Sequence, residues 1–579
     1  MEAATQRETR TRERPRGLAE VFVRTSRSLN TEVPHENNPS YPPAEAPQAR
    51  KPMSANGETD KKSVAARLVG MAQERYLLGV SEDGEPFGAE RNRPHLAMLL
   101  RGGRAGLRAD LAARYFTDTG SVAGGQALTD ATLILEGLAA TQTAEKLNLR
   151  VGDHDGTIYI DTGSPDAQVI RIRDGRWSMV TTAPVRFLRS KLTGAMPAPC
   201  SDGDLTGLWD FVNVAVEDRP VLLAVLVAAL VQCDVPHPVL ALFAEQGSAK
   251  STTTRMLVDL IDPSPVPLRQ APRDTDSWVT AASGSWVVAL DNLSAIPPWL
   301  SDSLCRAATG DGNVKRALYT DADLAVLKFR RCVIVNGIDV GAVRPDLAER
   351  LATVELRRIE RHTRQPESTM RQRWETALPA ILGGLLDVAA AVHQRLETIS
   401  VDEPPRMADF SRTLAAVDEL FATDGLRRYM SRADQLSEDS LSVDPFIEQL
   451  RTRTQEPIVS RSGGDLLAML TPVGDHWRRP KEWPKNGRDV TGLLRRHAPA
   501  LRNLGWAIED DGARNHRNVL RWTIYPPYKD VVAHQASQPS CSSPTQIGVN
   551  AAFDEGQETA IHSGIAVGDA GDEFTAEAS

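Results

Sequence analysis

The chain has 579 residues, 41% of them hydrophobic and 25% charged, and a formal net charge of −9. This is too long for one ordinary domain, and the composition is globular. The acidic balance excludes a uniformly basic nucleic-acid coat, so local patches decide what is bound.

Residues 1–62 are polar and interrupted by Pro34, Pro39, Pro42, Pro43, Pro47 and Pro52. They read as a disordered arm, with room for a short helix around "GLAEVFVRTSRSL" and no signal-peptide pattern at the start. Residues 63–204 read as an α+β domain of unassigned role. Helical spacing runs through "KSVAARLVGMAQERYLL", "LRADLAARYFTDTG" and "ALTDATLILEGLAATQ". Strand-like "LNLRVGDHD", "GTIYIDTG", "AQVIRIRDG" and "RWSMVTTAP" follow, with hairpin turns marked by Asp155-Gly156 and Asp174-Gly175. Asp153, Asp155 and Asp161 are the carboxylates from which a metal site would have to be built, but hairpin turns favour Asp without any catalytic role.

Residues 205–236 read as a helical linker. Its run "PVLLAVLVAALVQC" is shorter than the roughly 18–20 residues that span a bilayer, so a buried helix is expected and no membrane partner. The five cysteines (Cys200, Cys233, Cys305, Cys332, Cys541) lie far apart without a CxxC pair. That argues against zinc or a disulfide framework and fits a reducing cytoplasm.

From 237 to 365 apolar strands, glycine-containing loops and helices alternate, an α/β signature. "HPVLALF" reads as a strand, "AEQGSAK" as a loop and "KSTTTRMLVDLI" as a helix. A phosphate-binding loop, GxxxxGK[ST], needs this context: loop N–H groups and the helix N-terminus then surround the phosphates of ATP. Lys250 and Ser251 stand in place, the first for the β and γ phosphates, the second for Mg2+; Gly247, Ser248, Ala249 and Thr252 complete the loop. Both fixed glycines are replaced, by Ala244 and Ala249. Gly247 is then the expected carrier of the left-handed conformation. A strand over 286–290 delivers Asp291, where P-loop NTPases hold magnesium. Next comes Asn292, which can hold a water but not take its proton; Glu245 or Asp311 would serve instead, or hydrolysis is slow. A third strand, "RCVIVNGID", ends in Asn336, placed to bond the attacking water or the γ phosphate. In "RPDLAERLATVEL", Arg344 or Arg350 could complete a neighbouring subunit's site.

Residues 366–455 read as a helical lid. Residues 456–528 read as a winged helix: helix, turn, helix, then two strands around "DDG". Arg488, Arg495, Arg496 and Arg502 fall on or beside its second long helix, and Arg514, His516 and Arg517 in the wing. Between 477 and 522 there are 11 Lys/Arg against 5 Asp/Glu, a face suited to duplex DNA. Residues 529–579 hold one Lys and eight Asp/Glu and read as an acidic disordered tail.

The order of these parts resembles the AAA+ class. More narrowly, "LCRAATGDGNVKRALYTDADLAVLKFRRCVIVNG" is similar to superfamily-three helicases and phage and plasmid primase-helicases. Thr309, Gly310, Asp311 and Gly312 stand where that family has a "TGGD" segment ahead of a basic hairpin. The resemblance, which covers 237–360, implies a homo-oligomeric ring whose hairpin grips single-stranded DNA through Lys315 and Arg316. More broadly the chain resembles ATP-binding proteins of phages and integrated elements in high-GC bacteria. The expected activity is a DNA-stimulated ATPase of helicase or translocase type. The alternatives are an ATP-dependent DNA-binding switch, such as a loader or regulator, and an assembly protein with a vestigial nucleotide site.

Overall fold

The computed structural model describes residues 62–102, 106–245, 247–310, 312–316, 324–328, 330–337, 343–442, 444–474, 476–512 and 519–527. The arm 1–61, the tail from 528, and Asp311, Arg514, His516 and Arg517 lie outside them.

Helix α1 (Val64–Arg75) starts where the Ser63 hydroxyl accepts the Ala66 N–H, 3.1 Å. The helical pattern read through to residue 78 stops earlier: Tyr76 opens strand β1 (Tyr76–Ser81). Tyr76, Leu78 and Val80 also fit a period of two, and pairing with β2 (Pro86–Glu90) settles the competition. Strand β3 (Leu96–Leu99), helices α2 (Leu107–Thr119) and α3 (Gly125–Ala140), and the short β4 (Ala144–Glu145) and β5 (Leu147–Asn148) follow. Strands β6 (Val151–His154), β7 (Thr157–Asp161), β8 (Val169–Arg173) and β9 (Arg176–Val180) form an antiparallel meander, and β10 (Arg186–Leu188) returns to the first sheet, ordered β4-β1-β2-β3-β10-β5. Both Asp-Gly turns have positive φ at both residues, 51° and 70° at Asp155 and Gly156, 52° and 70° at Asp174 and Gly175, as a two-residue hairpin loop requires.

One face of the meander, with Ile158, Ile160, Ile170 and Ile172, belongs to the same apolar core as helix α4 (Arg219–Val231). Every residue of α4 from Pro220 on is buried, so the apolar run is a core helix. Buried Arg150 locks this junction. Its Nε donates to Asp262 Oδ1, 2.8 Å, while Asp262 Oδ2 accepts the N–H groups of Trp286 and Val287, 2.8 and 3.0 Å.

Strand β11 (Val239–Phe243), helices α5 (Lys250–Ile261) and α6 (Thr275–Ser283), strand β12 (Val287–Leu290) and helix α7 (Pro298–Thr309) come next. Strands β13 (Gly312–Arg316) and β14 (Leu324–Lys328) form a hairpin, with Lys315 opposite Ala325 and Arg316 opposite Leu324. Strand β15 (Cys332–Asn336), helix α8 (Pro345–Ala348) and strand β16 (Leu351–Glu355) complete a parallel sheet ordered β12-β15-β11-β16. Helices cover both faces: Leu240 and Leu242 pack with α4 and α5, Val239 and Ala241 with α6, α7 and α8. Strands buried on both sides read as continuous apolar runs rather than alternating ones. The chain passes from β11 to β12 on one side and reaches β16 on the other, so the strand order reverses at β11, the position where open α/β sheets bind ligands at the carboxyl ends of their strands.

Helices α9 (Glu367–Arg395), α10 (Ala408–Phe421), α11 (Gly425–Ser442) and α12 (Pro445–Arg453) follow. Among the described residues α9 is the one helix long and apolar enough to cross a membrane, and its Ile381, Leu382, Leu385 and Leu386 lie in the core with α4. The last unit has helices α13 (Gly463–Leu470) and α14 (Gly487–Asn503) against strands β17 (Ile458–Ser462), β18 (Ala507–Asp510) and β19 (Arg521–Tyr525). The sheet has three strands, β17-β19-β18, where the sequence suggested two. Four of the five residues of β17 are exposed or half-exposed and its register is broken near Ser460, so periodicity could not reveal it.

Candidate functional site

At the carboxyl end of β11 the chain turns through residues 244–249 into α5. Gly247 carries φ +86°, as expected, but Ala249 is also left-handed, with φ +58° and ψ +34°. The alanine therefore keeps the backbone shape that a glycine would give, at a cost of about 1–2 kcal/mol. The Ser248 hydroxyl is buried and donates to the Glu245 carbonyl, 2.8 Å, which braces the turn. Lys250 Nζ folds back on the Ala244 and Glu245 carbonyls, 2.8 and 3.0 Å. The lysine thus rests inside the loop on weak, replaceable acceptors.

Ser251, one residue into α5, donates from Oγ to Asp291 Oδ1, 2.7 Å. Asp291 follows the last residue of β12. Asn336 ends β15, is 2% exposed, and reaches across: Nδ2 donates to Asp291 Oδ1 and to Thr254 Oγ1, both 2.8 Å. Its Oδ1 accepts the Asn292 N–H, 2.8 Å. The amide of Asn336 is therefore fully used in holding the carboxylate and the chain after it. Asn292 is exposed with φ +56°. Gly337, φ +87°, lets the two strand ends close up, since a Cβ there would sit 2.9 Å from Asn292 Cα. Three strand ends and one helix N-terminus thus converge on a hydroxyl, a carboxylate, an amide and an ammonium.

Thr254 escaped the sequence reading. Its hydroxyl donates to the Lys250 carbonyl one turn earlier and accepts from Asn336. The run Thr252–Thr253–Thr254 gave a faint signal, because a helical Thr can bond back one turn. Thr252 is half-buried beside it. Glu245 is exposed and lies 4.0 Å from Arg358.

The two arginines expected to reach a neighbour differ. Arg344 is half-exposed, with Nη1 2.8 Å from Asp302 Oδ1 of α7. Arg350 is 8% exposed and bonds the Asp346 carbonyl of its own chain, so it does not project outward here. In the last unit, Asn486 accepts the Arg488 and Asp489 N–H groups and starts α14. Val490, Leu494, His497 and Leu501 face the core and Arg488, Arg495 and Arg496 face outward. Arg495 meets Asp510, 3.4 Å, and Arg502 bonds the Ile508 carbonyl, 2.7 Å, so Arg502 serves the sheet.

The class is therefore a multidomain α/β protein with a central parallel sheet and a polar cluster at its carboxyl edge. Residues 203–439 match the family model of the actinomycete integrative conjugative element replication protein, and residues 447–537 match that of the AICE RepA C-terminal domain. The two matches follow one another along the chain, the first over the part that holds the parallel sheet and the second over the last unit. No curated protein matches the chain. Among solved structures, the apo NrS-1 C-terminal region is 11% identical with a TM-score of 0.33, over 80% of this chain and 99% of that one. A structure titled "SCCmec type IV Cch - active helicase" is 11% identical with a TM-score of 0.38, over 78% of this chain and 93% of that one. With TM-scores below 0.5, these overlaps do not define a shared fold.

Proposed function

We propose that this replication protein is an ATP-driven DNA helicase or translocase, with Mg·ATP bound at the turn between β11 and α5. The observation that carries this reading is the bonded set Ser251–Asp291–Asn336–Thr254 beside Lys250. In this reading residues 237–365 are a P-loop ATPase core of AAA+ type and 456–528 a winged helix.

Each side chain then has a task. The loop N–H groups and the α5 N-terminus orient the phosphates. Lys250 exchanges its two carbonyl acceptors for phosphate oxygens, gaining charge-assisted bonds. Ser251 Oγ and the Asp291 carboxylate are hard oxygen donors side by side, a set that fits magnesium. That ion, when bound, would supply neutralisation of developing phosphate charge. Asn336 holds Asp291 in place, a positioning role in place of direct γ-phosphate sensing. Arg344 is the better placed of the two arginines to reach a neighbour's nucleotide in a homo-oligomeric ring, with single-stranded DNA gripped at the β13–β14 hairpin by Lys315 and Arg316. Arg488, Arg495 and Arg496, with Arg514 and Arg517 of the wing, bind duplex.

Asn292 favours a second reading, an ATP-dependent DNA-binding switch, because no proton acceptor stands at that position. ATP hydrolysis by wild type and Lys250→Ala, with and without single-stranded DNA, separates the two. DNA-stimulated turnover that the mutation abolishes supports the motor. Nucleotide binding without turnover overturns the motor and leaves the switch.

A further inference from the structure

Between β16 and α9 the chain runs through "LRRIERHTRQP", a basic strap from 356 to 366. It passes back over the turn 244–249. Arg358 lies 4.0 Å from Glu245, and beyond the strap Arg255 of α5 meets Glu367 of α9 at 3.2 Å. Between these two anchors the guanidinium of Arg364 lies against Gly247. A Cβ built on that glycine would sit 2.6 Å from Arg364 Nη2. Glycine at 247 thus serves two ends, the left-handed φ and room for an arginine.

Arg364 is exposed, and no ion pair or hydrogen bond of its side chain exists among the described residues. The Arg364 guanidinium joins the loop N–H groups, Lys250 and a helix N-terminus in a set that suits an anion, while Glu245 of the same loop lies towards Arg358. Lys250 sits inside the loop on the Ala244 and Glu245 carbonyls, while Arg364 approaches from the solvent side at exposed Gly247.

Resting on the nucleotide reading above, we infer that Arg364 is a phosphate ligand supplied by the same chain, and that it binds the terminal phosphate of a nucleoside triphosphate. Its planar fork suits a phosphate oxygen pair in a way that a lysine does not. A diphosphate, ending at Lys250, leaves it unengaged. Arg364 lies three residues before α9, so its engagement would also report the triphosphate to that helix.

The test is titration of the full-length protein with fluorescent Mg·ATP and Mg·ADP analogues, for wild type, Arg364→Ala, Arg364→Lys, Arg358→Ala and Lys250→Ala. The expected result is that Arg364→Ala weakens ATP about ten-fold or more and ADP by less than about three-fold. Arg364→Lys recovers part of the loss, and Arg358→Ala, at the rim, leaves the ATP-to-ADP ratio as in wild type. Equal weakening of both nucleotides by Arg364→Ala, or none, with wild type still binding, overturns the inference and leaves the nucleotide site standing. No ATP binding by wild type removes the nucleotide reading and the inference with it.

Discussion

Asn336 shows how much one side chain can settle. Its three hydrogen bonds join β15, the end of β12 and α5, and one of them holds Asp291, a carboxylate proposed for magnesium. Asn336→Ala should lower kcat for ATP about 10–100-fold, as loss of an outer partner of a metal ligand does, with ATP affinity changed less than three-fold; steady-state kinetics beside equilibrium binding check the split. Ala249→Gly should relieve the left-handed strain of about 1–2 kcal/mol, offset by about 0.5–1 kcal/mol of added unfolded-chain entropy. A small net gain in denaturant midpoint with unchanged nucleotide affinity is expected, and a loss would contradict the strain. His237 is 2% exposed, packs edge-on against Trp286 and is pushed down to about 4 by burial. The neutral ring is the folded form. Stability is therefore full above the unfolded pKa near 6.5 and falls as pH drops from there towards 4, by on the order of 3 kcal/mol. Urea titrations at pH 7 and pH 4.5 should show that slope reduced in His237→Phe.

At the scale of elements, legibility followed burial pattern. Helix α5 begins at Lys250 and ends at Ile261, the span read from "KSTTTRMLVDLI", because its apolar positions keep the helical period against a sheet. Three strands of the parallel sheet, β11, β12 and β15, were equally plain, each an apolar run on both faces, while β16 at the sheet's edge was not read as a strand. Strands β2, β3, β10 and β17 were hidden too: β3 and β10 are short, β17 faces solvent, β2 carries Pro86 and Gly88 where an apolar run would show, and all four are held by their neighbours' hydrogen bonds. The Arg150–Asp262 pair was also invisible, joining residues 112 apart. Arg150→Ala would strand a buried carboxylate and should cost about 3–5 kcal/mol, measured by chemical denaturation. A neutral outcome would mean that the two N–H bonds to Asp262 suffice.

Across the whole molecule, an acidic chain presents a basic face on α14. If that face binds duplex backbone, exchanging Arg488, Arg495 and Arg496 for Ala should weaken binding alike on all sequences. The slope of log K against log salt should become shallower by about 0.9 for each phosphate that is no longer neutralised. ATP hydrolysis without DNA should stay as in wild type, since the face is remote in sequence from the β11–α5 turn. An unchanged slope would assign α14 to binding a protein.

Local pattern was enough for the alternation of strand, loop and helix from 237 onward, the buried nature of 220–231, and the candidate lysine, serine and aspartate. These depend on spacing and side-chain type, which a sequence carries within a few residues. The broad likeness to replication proteins of mobile elements agrees with the RepA matches, and the narrower superfamily-three likeness goes beyond them. Folding alone decided that Asn336 turns inward to Asp291, that Arg350 is buried, that Ala249 takes a glycine's conformation, and that Arg364 lies on Gly247. Each of these depends on residues far apart in the chain coming together, and burial and hydrogen-bond closure are fixed only when those residues meet.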